Sequence, residues 1–224
     1  MKKIFVFIVL AIMAMGGIKA QNMFFPTKEG MILEYANLNN RGRADSYTRQ
    51  TIQSVQGSGD NLTVSYVSQA FDRNRRPTAT VEIPYSVTIS NGVVELDMKS
   101  FAAAGTEGLI EIEGDKLRIP STLSPGVKLD DVNFTLTVNM GFRIRTEISL
   151  TEQECLAIEE ITVPAGTFNC YKVTQTSAAT AMRRTMTTKT ITWYAHGIGT
   201  VKSETYDARN RLTSSMELQS VENN

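Results

Sequence analysis

Val132-Asn133-Phe134-Thr135-Leu136-Thr137-Val138-Asn139-Met140 alternates apolar and polar side chains without interruption. A period of two places every apolar group on one face of an extended chain and every polar group on the other. The stretch therefore reads as a half-buried β-strand, with Phe142 and Ile144 continuing it past Gly141 opposite Arg143 and Arg145. Working outward, the same pattern recurs at Leu62–Phe71, Thr78–Ile89, Ile158–Val163, Phe168–Thr174, Thr188–Tyr194, Thr200–Tyr206 and Leu212–Val221. Thr, Val, Ile and Tyr dominate these runs, as a pleated surface favours. No stretch sustains a helical period, and the best helix candidate is Leu96–Ala104, an Ala-rich run stopped by Gly105. The pattern predicts an all-β fold: a strongly curved antiparallel sheet, either a half-barrel or two packed sub-sheets, with at most one short helix.

Met1–Ala20 is built differently. Lys2 and Lys3 precede the apolar run Ile4–Met15, and small residues lead to Ala20. That is the layout of a secretory signal peptide cut after Ala20, and the run is short of the roughly 20 apolar residues a membrane helix needs. The expected plan is a signal peptide over 1–20 and a single β-rich domain over 21–224, in the periplasm or otherwise exported, its mature chain not spanning a membrane. Removing 20 of 224 residues leaves 204. Ile119-Pro120, Ser124-Pro125-Gly126 and Leu129-Asp130-Asp131 interrupt the strand pattern, so Ala102–Asp131 reads as irregular. The flanking parts, 21–100 and 130–224, form either two lobes or one continuous curved sheet.

The chain carries 23 basic and 23 acidic side chains. Loss of Lys2, Lys3 and Lys19 with the signal leaves 20 against 23, a net charge of −3. Such a balance creates no general field for nucleic acid or anionic lipid. A hydrophobic content of 42% is enough for a packed core.

Cys155 and Cys170 are the two cysteines. In an exported protein a pair of cysteines favours one disulfide. Local register opposes it. If the turn in Val163–Phe168 centres on Ala165-Gly166, Cys170 faces Ile161 and Cys155 lies six residues further along the same strand. At about 3.3 Å per residue that is roughly 20 Å, against about 5.5 Å between bridged Cα atoms. A disulfide and a pair of small buried hydrophobes both stay open.

A loose repeat runs through the chain. Tyr35–Arg43, Phe71–Thr78 and Tyr206–Thr213 each read as an aromatic strand end, an Asn/Asp/Arg turn and a new alternating strand. Asp and Asn suit such turns because their side chains bond nearby backbone and tolerate left-handed geometry. Arg41, Arg43, Arg73, Arg75, Arg76, Arg209 and Arg211 all fall at these turns. If the tips gather at one end of the sheet, they form a basic rim for carboxylate or phosphate groups, which Arg binds through paired hydrogen bonds.

Catalytic chemistry finds little material. His196 is the sole His, so a four-ligand zinc site cannot be built within one chain. No Asp-rich calcium loop occurs. Gln56-Gly57-Ser58-Gly59 does not complete a nucleophile elbow, and Glu159 and Glu160 point to opposite faces of one strand. No cofactor is expected.

Glu159–Val173 contains Val163-Pro164-Ala165-Gly166-Thr167-Phe168, and Thr192–Lys202 contains Trp193-Tyr194-Ala195-His196-Gly197-Ile198-Gly199. With Gly30–Tyr35 and Pro120–Asp131, these segments resemble the DUF3108-like proteins, exported bacterial proteins of unknown function. The resemblance implies a curved antiparallel sheet exported by Gram-negative bacteria, and brings no activity and no catalytic residues. The reading that follows is a non-enzymatic binding protein of the cell envelope whose concave sheet takes a lipid or other hydrophobic or amphipathic ligand. Tyr66, Phe134, Leu136, Phe142, Trp193 and Tyr194 are the candidates for its cleft or core. The alternatives are a structural or protein-interaction module meeting an envelope protein partner, and an unrecognised carboxylate-based hydrolase.

Overall fold

The structure is a computed structural model that describes residues 23–78, 83–98, 108–139 and 141–223. Thirteen strands make one antiparallel sheet. They are β1 (Met31–Asn39), β2 (Ala44–Ser58), β3 (Asn61–Asp72), β4 (Ile83–Ser90), β5 (Val93–Asp97), β6 (Ile110–Gly114), β7 (Lys116–Pro120), β8 (Val132–Asn139), β9 (Arg143–Val163), β10 (Gly166–Ala181), β11 (Arg184–Ala195), β12 (Gly199–Asp207) and β13 (Leu212–Asn223). Their spatial order is β6-β8-β9-β10-β11-β12-β13-β1-β2-β3-β4-β5-β7. The first and last strands pair with each other, Met31 opposite Asn223. One continuous sheet therefore runs through both parts of the chain.

Apart from Thr78, the described part of every run lies in a strand, and β9 and β10 extend well beyond their runs. Phe142 and Ile144 do not continue the Val132 strand as expected: β8 ends at Asn139, the chain reverses at Gly141 (φ 78°), and Ile144 returns on β9 opposite Val138. The signal segment, Met140 and residues 79–82 lie outside the described residues. The helix expected at Leu96–Ala104 does not begin as one, because Leu96 and Asp97 belong to β5 and pair with β7; residues 99–104 lie outside the described residues. Among the described residues Ala102–Asp131 is less irregular than expected, since it holds β6 and β7. Each has five residues, too few for the alternation to stand out.

These two short strands close the sheet. β6 and β7 are its opposite edges, yet Asp115 alone separates them in the chain. The run 110–120 pairs first with β8, Gly114 opposite Phe134, and then with β5, Lys116 opposite Asp97. A nearly closed barrel results. Gly114 is the pivot, with φ 142° and a backbone so close to β8 that an added Cβ would sit 2.3 Å from Asn133 O and 2.5 Å from Phe134 Cα. The Asp115 N–H donates to Asn133 O at 2.9 Å, and the Asn133 N–H donates to Asp115 Oδ2 at 2.9 Å.

One end of the barrel is packed shut. Leu33, Val64, Val87, Ile89, Val94 and Ile119 are buried there. The chain just before β1 serves as a plug: Met23 and Phe24 are each 2% exposed. The Gly197 N–H donates to Met23 O at 2.7 Å. The Phe24 ring stacks on His196 at 4.4 Å and meets Tyr171 edge-on at 4.9 Å. Burying two such side chains contributes about 1.5–3 kcal/mol each. Segment 121–129 covers the same end, with Cys155 N–H donating to Val127 O at 2.9 Å and Leu129 N–H donating to Gln153 O at 2.9 Å.

Gly114→Ala is expected to destabilise the protein by on the order of 3 kcal/mol, because the closing crossover has no room and no L-residue conformation for a side chain. Gly126→Ala, where an added Cβ meets nothing within 4 Å, should cost about 1 kcal/mol for its left-handed backbone alone. Urea denaturation midpoints of the two variants compare them directly.

Candidate functional site

The six residues expected to form a cleft divide among four places. Tyr66 and Tyr194 line a cavity at the plugged end together with Phe24, Phe25, Tyr35 and Leu96. Its volume of about 200 Å³ falls below the roughly 300–1,000 Å³ of ligand pockets. Tyr66 stacks on Tyr85 at 5.2 Å and lies 5.6 Å from Phe25. Burial pushes the Tyr35 and Tyr66 hydroxyls well above the usual phenol range. Trp193 faces the other way, as neighbouring strand residues must. It is buried under the ammonium groups of Lys172 and Lys202, 5.2 and 5.5 Å from its ring, and its Nε1–H donates to Glu159 Oε1 at 2.6 Å. Phe134 and Leu136 lie on β8, and Phe142 stands at the β8–β9 turn, 62% exposed. A polar cleft of about 460 Å³ on another flank, bearing Lys128 and Lys189 beside Glu152 and Glu154, contains none of the six.

Cys155 and Cys170 are buried free thiols. The β9–β10 turn centres on Pro164-Ala165, with Val163 paired to Gly166, so the expected register is two residues out. Cys170 faces Glu159 rather than Ile161, and Cys155 faces Val173. Three residues of β10 separate Val173 from Cys170, roughly 10 Å, and no bridge can form without moving the ladder. Burial pushes both thiols up, Cys170 to about 11 with help from Glu159.

Pairing across β6, β8 and β9 assembles an apolar strip. Ile110 faces Val138, Ile112 faces Leu136, Leu136 faces Thr146, Phe134 faces Ile148 and Val138 faces Ile144. Ile148 pairs in turn with Ala179 and Ala179 with Met186. Register runs unbroken from Ala179–Met186 to Tyr171–Tyr194, so the strip lies on the face that carries Tyr194 into the barrel. Ile110, Ile112, Phe134, Leu136, Val138, Ile144 and Ile148 are all half-buried, whereas Val64 and Ile89 at the plugged end are 0% and 1% exposed.

The strip leads to the opposite rim, which has no plug among the described residues and where β1, β3, β8, β10 and β12 end and β2, β9, β11 and β13 begin. The loose repeat is one turn built three times. Asn39, Asp72 and Asp207 each accept, through Oδ1, the N–H groups two and four residues on, at 2.8–3.2 Å. In each copy the residue three further on is left-handed: Gly42, Arg75 and Asn210, at φ 71°, 61° and 57°. Arg closes all three as Arg43, Arg76 and Arg211. Hydrogen bonds from the Arg211 side chain and backbone, with the Arg209 N–H, pull the Asp207 carboxyl down to about 2. The backbone bonds from Arg76 and Asn74 similarly lower Asp72.

Two further tips share this rim, with Arg143 and Arg145 entering β9 and Arg183 and Arg184 between β10 and β11. With Arg41, Arg43, Arg73, Arg75, Arg76, Arg209 and Arg211, eleven of the chain's thirteen arginines stand there. Arg75 is committed along the outer sheet face to Glu34, which also takes Arg49 Nη2 at 3.2 Å, and its guanidinium lies 4.1 Å over the Tyr47 ring. Burial raises the Glu34 pKa, but the two arginines outweigh it and hold the carboxyl below its usual range. Arg143 pairs with Glu111, Arg145 with Glu147 and Arg211 with Asp207. Arg41, Arg43, Arg73, Arg76, Arg183, Arg184 and Arg209 form no ion pair among the described residues. Sequence reading missed Arg143, Arg145, Arg183 and Arg184 as rim residues, since register alone brings their hairpins to this end.

Among the described residues no three His, Cys, Asp or Glu side chains group to hold a metal ion. Glu204 and Glu217 converge on Lys202 at 3.0 and 3.6 Å, and the Tyr206 hydroxyl donates to Glu204 at 2.5 Å. Both carboxylates are thus tied to one ammonium on the sheet face and line none of the cavities described above. No helix among the described residues is long and apolar enough to cross a membrane.

The architecture is a nearly closed antiparallel sheet with one plugged and one basic end, and two solved structures are similar to it in fold. One, from Bacteroides fragilis, is described as an exported protein with a YmcC-like fold; it is 22% identical, with a TM-score of 0.73 over 90% of this chain and 99% of that one. The other, described as a lipoprotein from Parabacteroides distasonis, is 22% identical, with a TM-score of 0.74 over 89% and 98%. No curated protein matches. The sequence model of the DUF3108-like family matches residues 28–218, so the chain belongs to that family.

The Asp207 carboxyl is expected to titrate with a midpoint of about 2 by carboxyl-carbon NMR. Arg211→Ser should return it toward its ordinary 3.8. A folded-state pKa below the unfolded value stabilises above the unfolded value and ceases to do so as pH falls through the folded one. The turn should therefore loosen between about pH 4 and pH 2. The thiols give a separate check. The native protein should resist maleimide, and after denaturation without reductant both Cys155 and Cys170 should be labelled.

Proposed function

We propose that this DUF3108-like chain is an exported, non-enzymatic binding protein that holds an amphipathic ligand along the inner strip of β6, β8 and β9, its anionic head toward the arginine rim. The observation that carries this reading is the strip itself: seven large apolar side chains on the barrel's inner face, half-buried where the other end is packed shut. Leaving such a strip in water forgoes about 25 cal/mol per Å² of burial, and an apolar chain laid along it recovers that energy. Arg143 and Arg145, where the strip meets solvent, alternate to the outer face and pair with Glu111 and Glu147, so a carboxylate or phosphate head falls to the unpaired rim arginines, Arg183 and Arg184 nearest. The small aromatic cavity at the plugged end, walled by Phe24 and Phe25, is too small for a whole acyl chain. Export is supported by the layout of Met1–Ala20 and by relatives described as an exported protein and a lipoprotein.

Native mass spectrometry of the mature protein, purified without detergent from its own envelope fraction, tests the proposal. A discrete added mass of a few hundred daltons or more, lost on denaturation, is expected. Phe134→Asp with Leu136→Asp should lower its occupancy at least tenfold while leaving the far-ultraviolet dichroism unchanged. A bare monomer mass from the envelope fraction would overturn the reading.

A further inference from the structure

The rim carries bare apolar groups as well as arginines. Phe142 is 62% exposed, Met182 72%, Met186 69% and Leu109 50%. They belong to one corner. Thr146 pairs with Ala181, so the β8–β9 and β10–β11 tips are neighbours. The Asn139 N–H donates to Leu109 O at 2.8 Å, which brings the start of β6 beside them. From β6 to β11 the corner spans four strand spacings, roughly 19 Å. Met182 and Arg183 form the two-residue β10–β11 turn, both left-handed at φ 49° and 62°. Asn-Gly is the usual choice for that geometry, and here a Met and an Arg are held in it at the tip despite the strain.

We infer that this corner docks the protein onto an anionic lipid surface, with Phe142, Met182 and Met186 entering the headgroup layer and Arg183 and Arg184 meeting lipid phosphates. Charge and apolarity together select this partner. A soluble polyanion would use the arginines and leave four large apolar groups in water. An interfacial layer satisfies both, since apolar side chains sink to the acyl boundary while long basic side chains keep their heads at the phosphates. Arg183 and Arg184 have no carboxylate partner among the described residues, so their charge is free for it. Glu111 and Glu147 pair with Arg143 and Arg145 nearby, so within this corner the unpaired charge is that of the β10–β11 tip. The inference needs no ligand in the inner strip.

Flotation with vesicles decides the matter, using the mature protein purified from its own cells. Vesicles of phosphatidylethanolamine with 30% phosphatidylglycerol should retain at least tenfold more protein than phosphatidylcholine vesicles at low salt, and 0.5 M NaCl should release most of it. Met182→Ser with Phe142→Ser, and separately Arg183→Glu with Arg184→Glu, should each cut retention at least tenfold. These positions are exposed, so unchanged thermal unfolding is expected to accompany the loss. Equal retention on neutral vesicles would overturn the inference. So would retention on dextran sulfate beads without any on anionic vesicles, which would make the partner a soluble polyanion. Loss of vesicle binding with the native-mass ligand intact would separate this failure from failure of the proposed function.

Discussion

Edge closure is the constraint on which the rest depends. An antiparallel sheet of thirteen strands ends in two rows of unpaired backbone groups, which attract further strands and aggregation. Here one run of chain, 110–120, satisfies both rows, pairing with β8 over its first half and with β5 over its second. The crossover is possible because Gly114 allows two backbones to come within a distance that any side chain would forbid. Curvature, the enclosed core and the distinction between inner and outer faces all follow from that junction.

Closure leaves two unlike ends. At one, Met23 and Phe24 fold back into the barrel and seal it with aromatic rings and His196. The other lacks such a plug among the described residues, and the apolar inner faces of β6, β8 and β9 run out to it half-covered. A barrel stabilised at one end can leave the other unfilled, because the burial of Leu33, Val64, Ile89 and Val94 does not depend on it. Such division of labour between a stable scaffold and a less satisfied surface is where binding sites arise.

The rim owes its charge to a reused piece of local chemistry. A side-chain oxygen at Asn39, Asp72 or Asp207 gathers two backbone N–H groups and fixes a tight reversal. The turn needs one left-handed residue, and Gly42 and Asn210 supply it cheaply. Arg75 does so at a cost offset by its bond to Glu34 and its place over Tyr47. Antiparallel pairing then carries all three copies to the same end, so a local motif becomes a global asymmetry of charge.

Much of this was written in the sequence. The alternation in Val132–Asn139 determined a strand with Phe134, Leu136 and Val138 on one face, because side-chain direction in extended chain depends on parity alone. The Asn/Asp turns were also local, since their bonds span at most four residues. Tertiary structure decided what lies far apart in the chain. That β1 pairs with β13, that 110–120 is both edges, and that Cys170 faces Glu159 are matters of register, and a two-residue shift at Pro164-Ala165 is invisible to periodicity. Trp193 and Tyr194 had to point apart, but only the fold placed one beneath two lysines and the other beside Phe24. Phe142 read as a cleft or core candidate and Met182 carried no signal, until the pairing of β9 with β10 set the two together in solvent on a basic rim.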